Sequence, residues 1–308
     1  MRRFTILKKT LLALMLLLSV GDASAFSFKT FFNAKFIALK RFFALKKGKE
    51  RNPQPTTISQ QLPKTQEKKS NDRPIITVWI HGTSTNVLRF IKKDGPKGLL
   101  KMEAVEESVK SKRVATALIE HDAQKFPEKS FYLYRWSGKL SFREREAQGH
   151  KLYQELSDEI KQYREKYGVE PYVRIITHSH GGNVALNLAR AHTGNGPCKV
   201  DELILLACPV QATTSHLVTS PLFKKVYVLY SASDVVQVAA PQGIGFSSRR
   251  FPVTPNVVQA KVKINGKSPS HFDFVTPGFM RHLAGILTHL EHQKYAGARL
   301  KINSHQSI

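Results

Sequence analysis

Acidic side chains are scarce in this 308-residue chain. Against 48 Lys and Arg there are 23 Asp and Glu, a formal net charge of +25 at pH 7. A field of that sign repels cationic partners and gathers anionic ones, whether phospholipid headgroups or nucleic acid. No nucleic acid is expected, because no RNA-recognition, zinc-finger or helix-turn-helix pattern accompanies the charge. Cysteine is nearly absent as well: Cys198 and Cys208 are the only two. The residues between them, 200–207, read as one strand, and eight extended residues span roughly 26 Å. A disulfide needs its Cα atoms within about 7 Å, so a bridge between them is excluded and two free thiols are expected. Long apolar runs are missing too. Residues 11–20 are uncharged and Leu-rich, but a membrane-spanning helix requires about twenty such residues. No internal repeat is present.

What is there is unevenly distributed. Residues 1–73 carry 16 basic and four acidic side chains, the remainder 32 and 19. Arg2, Arg3, Lys8 and Lys9 precede the apolar run, and Ala23-Ser24-Ala25 after it fits the small-x-small cleavage rule. Residues 1–25 therefore read as a cleaved export signal, predicting transfer across the cytoplasmic or endoplasmic reticulum membrane. No cysteine follows the apolar core, so no lipid attachment is expected there. In residues 26–47, helical spacing gathers Phe28, Phe31, Phe32, Phe36, Leu39, Phe42 and Phe43 on one side, bordered by Lys29, Lys40, Arg41 and Lys47. A Phe-rich face edged with Lys and Arg predicts an interfacial helix on an anionic membrane surface. The alternatives are a helix docked on the folded domain and a segment without fixed structure. Residues 48–73, with Pro53, Pro55 and Pro63 and almost nothing apolar, read as a disordered linker. The folded domain is expected over residues 74–308.

Within that domain one stretch organises the rest. Val173, Ile175 and Ile176 form an apolar β-branched run broken only by Arg174, and a helical pattern built on Val184, Leu186 and Leu188 starts almost at once. Only a very sharp turn fits between them. Ser179 lies at its apex, flanked by His178 and His180, which read as packing residues or substrate contacts, and Gly181-Gly182 allow helix and strand to approach closely. Before it, residues 75–80 read as a strand closed by His81-Gly82-Thr83. Further strands are expected over 130–136, 203–207, 226–230 and 258–264, and helices over 114–126, 142–167 and 279–292. Charged and irregular, residues 87–110 read as a surface loop or a cover over the site, and 237–256 is a second candidate lid. Along 258–264, Val258, Ala260, Val262 and Ile264 alternate with Gln259, Lys261 and Lys263, as on a sheet edge with one solvated face. Strand and helix alternate throughout, which predicts an α/β fold: a mostly parallel sheet of about six strands with helices on both faces and right-handed crossovers.

The strand–Ser–helix turn, the earlier His-Gly-Thr turn, and the order Ser179, Asp234, His271 with each residue just after a strand resemble the α/β-hydrolase superfamily over about residues 74–292. Thr177 stands where the Gly-x-Ser-x-Gly form has its first glycine, which is a departure. The strands that precede the His-Gly-x strand in larger members have no counterpart, so the sheet is expected to be reduced at its N-terminal edge. The resemblance implies Ser179 as nucleophile, His271 as general base and then acid, and Asp234 as the carboxylate that holds the imidazole. It also implies an oxyanion hole from the backbone N–H groups of Thr83 and His180. Asp273 is the second choice for the acid, while Asp201 precedes its strand and falls at the wrong edge. His282, His289 and His292 read as packing or surface residues of the last helix. A zinc site of His81, His178 and His180 lacks a Cys or carboxylate at ligand spacing, so neither metal nor cofactor is expected. The function implied is an exported serine hydrolase of carboxylic esters, lipid esters included, acting at a membrane. The competing readings are a non-catalytic envelope protein that uses the fold for binding, and a peptidase or thioesterase.

Overall fold

The computed structural model describes residues 57–58, 73–83, 96–194, 196, 198–237, 249–292 and 299–304. The expected export signal, the Phe-rich segment and most of the linker lie outside the described residues.

Nine strands form one sheet: β1 (Thr57–Ile58), β2 (Ile75–Ile80), β3 (Gly98–Lys101), β4 (Phe131–Arg135), β5 (Tyr172–His178), β6 (Glu202–Leu206), β7 (Val226–Tyr230), β8 (Val257–Ile264) and β9 (Arg299–Ser304). Their spatial order is β1-β9-β8-β7-β6-β5-β2-β4-β3, and every pairing is parallel except the antiparallel β3–β4 edge. Among the described residues four α-helices accompany them: α1 (Lys110–His121), α2 (Phe142–Tyr167), α3 (Gly181–Ala191) and α4 (Pro277–His292).

Because side chains alternate along a strand, the sheet builds two cores. Ile76, Val78 and Ile80 of β2 and Ile175 of β5 pack with Leu152, Leu156 and Ile160 of α2 and with Val184 and Leu188 of α3. On the other face Trp79, Ile176, Ile204 and Leu229 meet Val114 and Leu118 of α1 and Met280, Leu283 and Leu287 of α4. All of these side chains are buried, each contributing about 1.5–3 kcal/mol. The apolar β5 sequence is thus the signature of a central parallel strand covered on both faces. Its one charge, Arg174, donates to Glu202 Oε2 (2.7 Å) and to the Lys125 carbonyl (2.7 Å), so the buried guanidinium is paired.

The sheet is wider than the six strands expected. Residues 98–101, read as irregular, pair with β4 at the antiparallel edge, and the Leu99 N–H is satisfied by Glu155 Oε2 of α2 at 2.9 Å. Met102 and Val105 beyond it are core residues, so this part of 87–110 is not a cover. Nor is β8 the edge, since β9 pairs along it and β1, inside the stretch read as linker, pairs with β9. Gln259 does not face water. It is buried, exchanging hydrogen bonds with the backbone N–H and carbonyl of Phe251, both at 2.9 Å.

Candidate active site

Parallel strands bring their C-terminal ends to one edge of a sheet. Here the edge is built by the ends of β2, β5, β6, β7 and β8. β5 runs into α3 through Ser179 and His180 alone, and Ser179 takes φ of 54°, left-handed for a non-glycine residue. Its N–H still completes the ladder to Leu206 O at 2.9 Å, so the turn is anchored on one side by β6. Thr177, standing in place of a glycine, is accommodated because its hydroxyl donates to Ile204 O at 3.1 Å.

Two glycines lock the end of β2 against this turn. A Cβ on Gly82 would lie 2.8 Å from Ser179 Cβ and 3.1 Å from His178 O. A Cβ on Gly181 would lie 2.6 Å from Ile80 O and 2.5 Å from His81 O. Both contacts are too short for any other residue, so His81-Gly82-Thr83 is seated directly beside Ser179. Trp136 fixes the far side: its Nε1 donates to His81 O at 2.8 Å and its ring stacks on His81 at 5.7 Å. Neither the Thr83 nor the His180 N–H donates to a described residue. The Thr83 hydroxyl is buried without a partner among the described residues.

After β7 comes Asp234, 1% exposed, and after β8 comes His271, 4% exposed. His271 Nδ1 and Asp234 Oδ2 are 2.8 Å apart. Asp234 Oδ1 accepts from the Gln237 N–H at 2.9 Å, and Arg249 donates to the Asp234 carbonyl from Nε (3.0 Å) and Nη2 (2.5 Å). The rival acids are engaged elsewhere. Asp273 caps its own 3₁₀ turn, Oδ2 accepting from the Ser270 N–H at 2.6 Å. Asp201 bonds Arg73 and the Val173 N–H at the opposite edge of the sheet. Ser179 Oγ makes no hydrogen bond to His271 in this resting geometry.

The histidines beside Ser179 do more than pack. His178 Nε2 donates to the His271 carbonyl at 3.0 Å, with the rings 4.7 Å apart. Burial, and then the neighbouring His271, push its pKa down to about 3, so the ring is neutral. His180 is likewise lowered to about 3, by burial first and then by Arg145 and His271. Arg145 of α2 is 1% exposed, donates to Gln211 Oε1 at 3.3 Å and lies over the Phe142 ring at 4.8 Å. Burial lowers its own pKa to about 10. The roles of His178 and Arg145 were hidden from the sequence.

A serine held at positive φ between a parallel strand and a helix, with an acid–histidine pair on later strand ends, decides the architecture. The fold is α/β-hydrolase-like. No protein-family model matches the sequence, and no curated protein is similar to it. Among solved structures the chain is similar to phospholipase PlaB from Legionella pneumophila in complex with thio-NAD, at 17% identity over 44% of this chain and 25% of that one, TM-score 0.30. It therefore spans about a quarter of that phospholipase's length. A Listeria innocua gene product is 11% identical over 74% of this chain and 98% of its own, TM-score 0.40. Lipase B from Aspergillus fumigatus is 10% identical over 76% and 62%, TM-score 0.39. These are distant likenesses of fold.

Proposed function

We propose that this protein is an exported serine hydrolase that cleaves carboxylic esters, lipid esters among them, at an anionic membrane surface. The observation that carries the reading is Ser179 at φ 54° on the turn that Gly82 and Gly181 clamp, with the His271–Asp234 pair at 2.8 Å on neighbouring strand ends.

In this reading Asp234 accepts a hydrogen bond from His271 Nδ1–H, which holds the proton on Nδ1 and leaves Nε2 free as a base. Nε2 takes the Ser179 proton as Oγ attacks the ester carbonyl carbon. The negative charge that forms on the carbonyl oxygen is met by the N–H groups of Thr83 and His180, the latter at the positive end of α3. His271 then gives its proton to the departing alkoxide, the C–O bond breaks, and the acyl group stays on Ser179. Water, deprotonated by the same imidazole, releases the carboxylic acid. The hydrogen bond absent between Ser179 and His271 at rest forms as substrate closes the site, as catalytic bonds commonly do.

Residues 1–25 direct export in this proposal, and the Phe-rich face of 26–47 anchors the enzyme. Burying a few Phe side chains at about 1.5–3 kcal/mol each suffices for reversible binding, and each nearby basic residue adds about 1 kcal/mol on an anionic surface. A fluorophosphonate probe tests the chemistry: wild type is labelled and Ser179→Ala is not. A pure, folded wild type that neither labels nor hydrolyses nitrophenyl esters establishes the non-catalytic binding protein instead. Sedimentation with phosphatidylglycerol vesicles tests the anchor, with binding expected for the mature chain and lost from a chain beginning at Pro55, which keeps β1.

A further inference from the structure

β6 ends in a kink that ties the turn of Ser179 to the turn of Asp234. Ala207, the residue after β6, has φ of 51°, left-handed for a residue other than glycine. Backbone strain of that kind persists where neighbours hold it, and it gathers at functional sites. Leu206 O accepts from the Ser179 N–H at 2.9 Å, and the Ala207 N–H donates to Leu229 O at 2.9 Å. Beyond the kink the next two carbonyls take side-chain donors from different elements. Pro209 O accepts from Asn183 Nδ2 of α3 at 3.1 Å, and Cys208 O accepts from Gln237 Nε2 at 2.7 Å. Gln237 is 0% exposed, and because a carbonyl only accepts, its amide nitrogen is the end that faces Cys208. The backbone N–H of the same residue donates to Asp234 Oδ1 at 2.9 Å. Asp234 Oδ2 is thereby the oxygen left to His271 Nδ1, 2.8 Å away. Arg249 grips the Asp234 carbonyl, which fixes the backbone there but leaves the carboxylate free to swing about its own bonds.

We propose that Gln237 is a positioning residue of the reaction: its side chain, held on the Cys208 carbonyl, keeps its own N–H on Asp234 Oδ1 and so aims Oδ2 at His271. This role rests on the serine-hydrolase reading above. The kinked end of β6 sets the spacing between nucleophile and acid, with Leu206 O as the link to Ser179 and Cys208 O as the link to Gln237. Gln237 acts only through Asp234. When the side-chain bond is lost, the N–H drifts from Oδ1, the carboxylate turns, and the imidazole loses its orientation toward Ser179.

The test combines steady-state kinetics with p-nitrophenyl butyrate and hydrogen exchange by NMR, both on the full mature chain. Gln237→Met removes the donor at similar volume and is expected to lose about 10- to 100-fold in kcat, with KM within about twofold. Gln237→Glu separates positioning from packing. Ionised, it sets an acceptor against the Cys208 carbonyl; protonated, as burial and the Asp234 charge favour, it donates there again. Its kcat relative to wild type should climb as pH falls, while the Gln237→Met ratio stays flat. Asp234, His271, Arg249 and the Cys208 thiol are common to variant and wild type and largely cancel in that ratio. In wild type the Gln237 backbone N–H and its carboxamide protons should exchange slowly with D₂O, a measurement that stands even if neither variant folds. A folded Gln237→Met with wild-type kcat, a Gln237→Glu ratio as flat as that of Gln237→Met, or fast exchange at Gln237 overturns the proposal. A wild type that no fluorophosphonate labels removes the serine-hydrolase reading and the proposal with it, whereas a labelled wild type with an undiminished Gln237→Met overturns the positioning role alone.

Discussion

The His271 carbonyl accepts a hydrogen bond from His178 Nε2 at 3.0 Å. One residue before the proposed nucleophile thus holds the backbone of the proposed base, and the two loops cannot drift apart independently. Removing this bond should loosen the His271 turn without touching the ester pocket. His178→Phe, which keeps a ring, is expected to lower kcat about 10- to 100-fold with KM nearly unchanged. His178→Gln, whose amide N–H can reach the same carbonyl, should restore part of it. Equal loss in both variants would mean that ring packing, not the hydrogen bond, matters.

Ser179 stores backbone strain at φ 54°. An L-residue in the left-handed region costs roughly 1–2 kcal/mol, and glycine escapes that cost. Both Ser179→Ala and Ser179→Gly should lose labelling and turnover completely. Their stabilities should differ, with the glycine variant about 1 kcal/mol more stable than the alanine variant after its greater unfolded-state entropy is counted. Equal denaturant midpoints would show that the turn carries no such strain.

Asp234 and Asp273 flank His271 in very different roles. Asp234→Asn would set an amide against His271 Nδ1 and favour the wrong tautomer, with an expected loss of about 10⁴ in kcat. Asp273→Asn keeps an acceptor for the Ser270 N–H and should stay within about twofold of wild type. Steady-state kinetics of the two variants separates them, and the opposite ranking would transfer the acid role to Asp273.

Much of this architecture was legible in the chain because local signals agreed with the fold. The helix read over 142–167 has those bounds because Ser141 accepts from the Glu144 N–H at one end and Gly168 turns left-handed at φ 68° at the other. Ser179 was legible because a β-branched run and a helical run leave no room for a loop. β3 was not, since four residues with two charged neighbourhoods form a strand only when β4 offers an open edge and Glu155 an acceptor. Gln259 misled for a related reason. A polar residue in alternation looks solvated until Phe251, eight residues away, supplies both of its amide partners. The contacts of His178 and Arg145 join separate loops and helices, and no spacing in a single sequence encodes that meeting.

The two neutral histidines beside Ser179 give the fold a pH dependence whose sign is fixed. His178 and His180 both titrate near about 3 when folded, chiefly because burial disfavours their charged forms, and near about 6.5 when unfolded. Between those limits the unfolded chain binds protons that the folded chain does not, so stability rises with pH. Descending from pH 7, it should hold until about 6.5 and then fall, approaching about 2.7 kcal/mol per pH unit from the two rings together. Urea midpoints between pH 6.5 and 5, above the range where most carboxylates titrate, isolate the effect. The double variant His178→Gln/His180→Gln, less stable at neutral pH, should show a flatter profile over that interval. A wild-type midpoint constant from pH 7 to 5, or an unchanged slope in the double variant, would mean the rings are already charged in the folded protein or reach water on protonation.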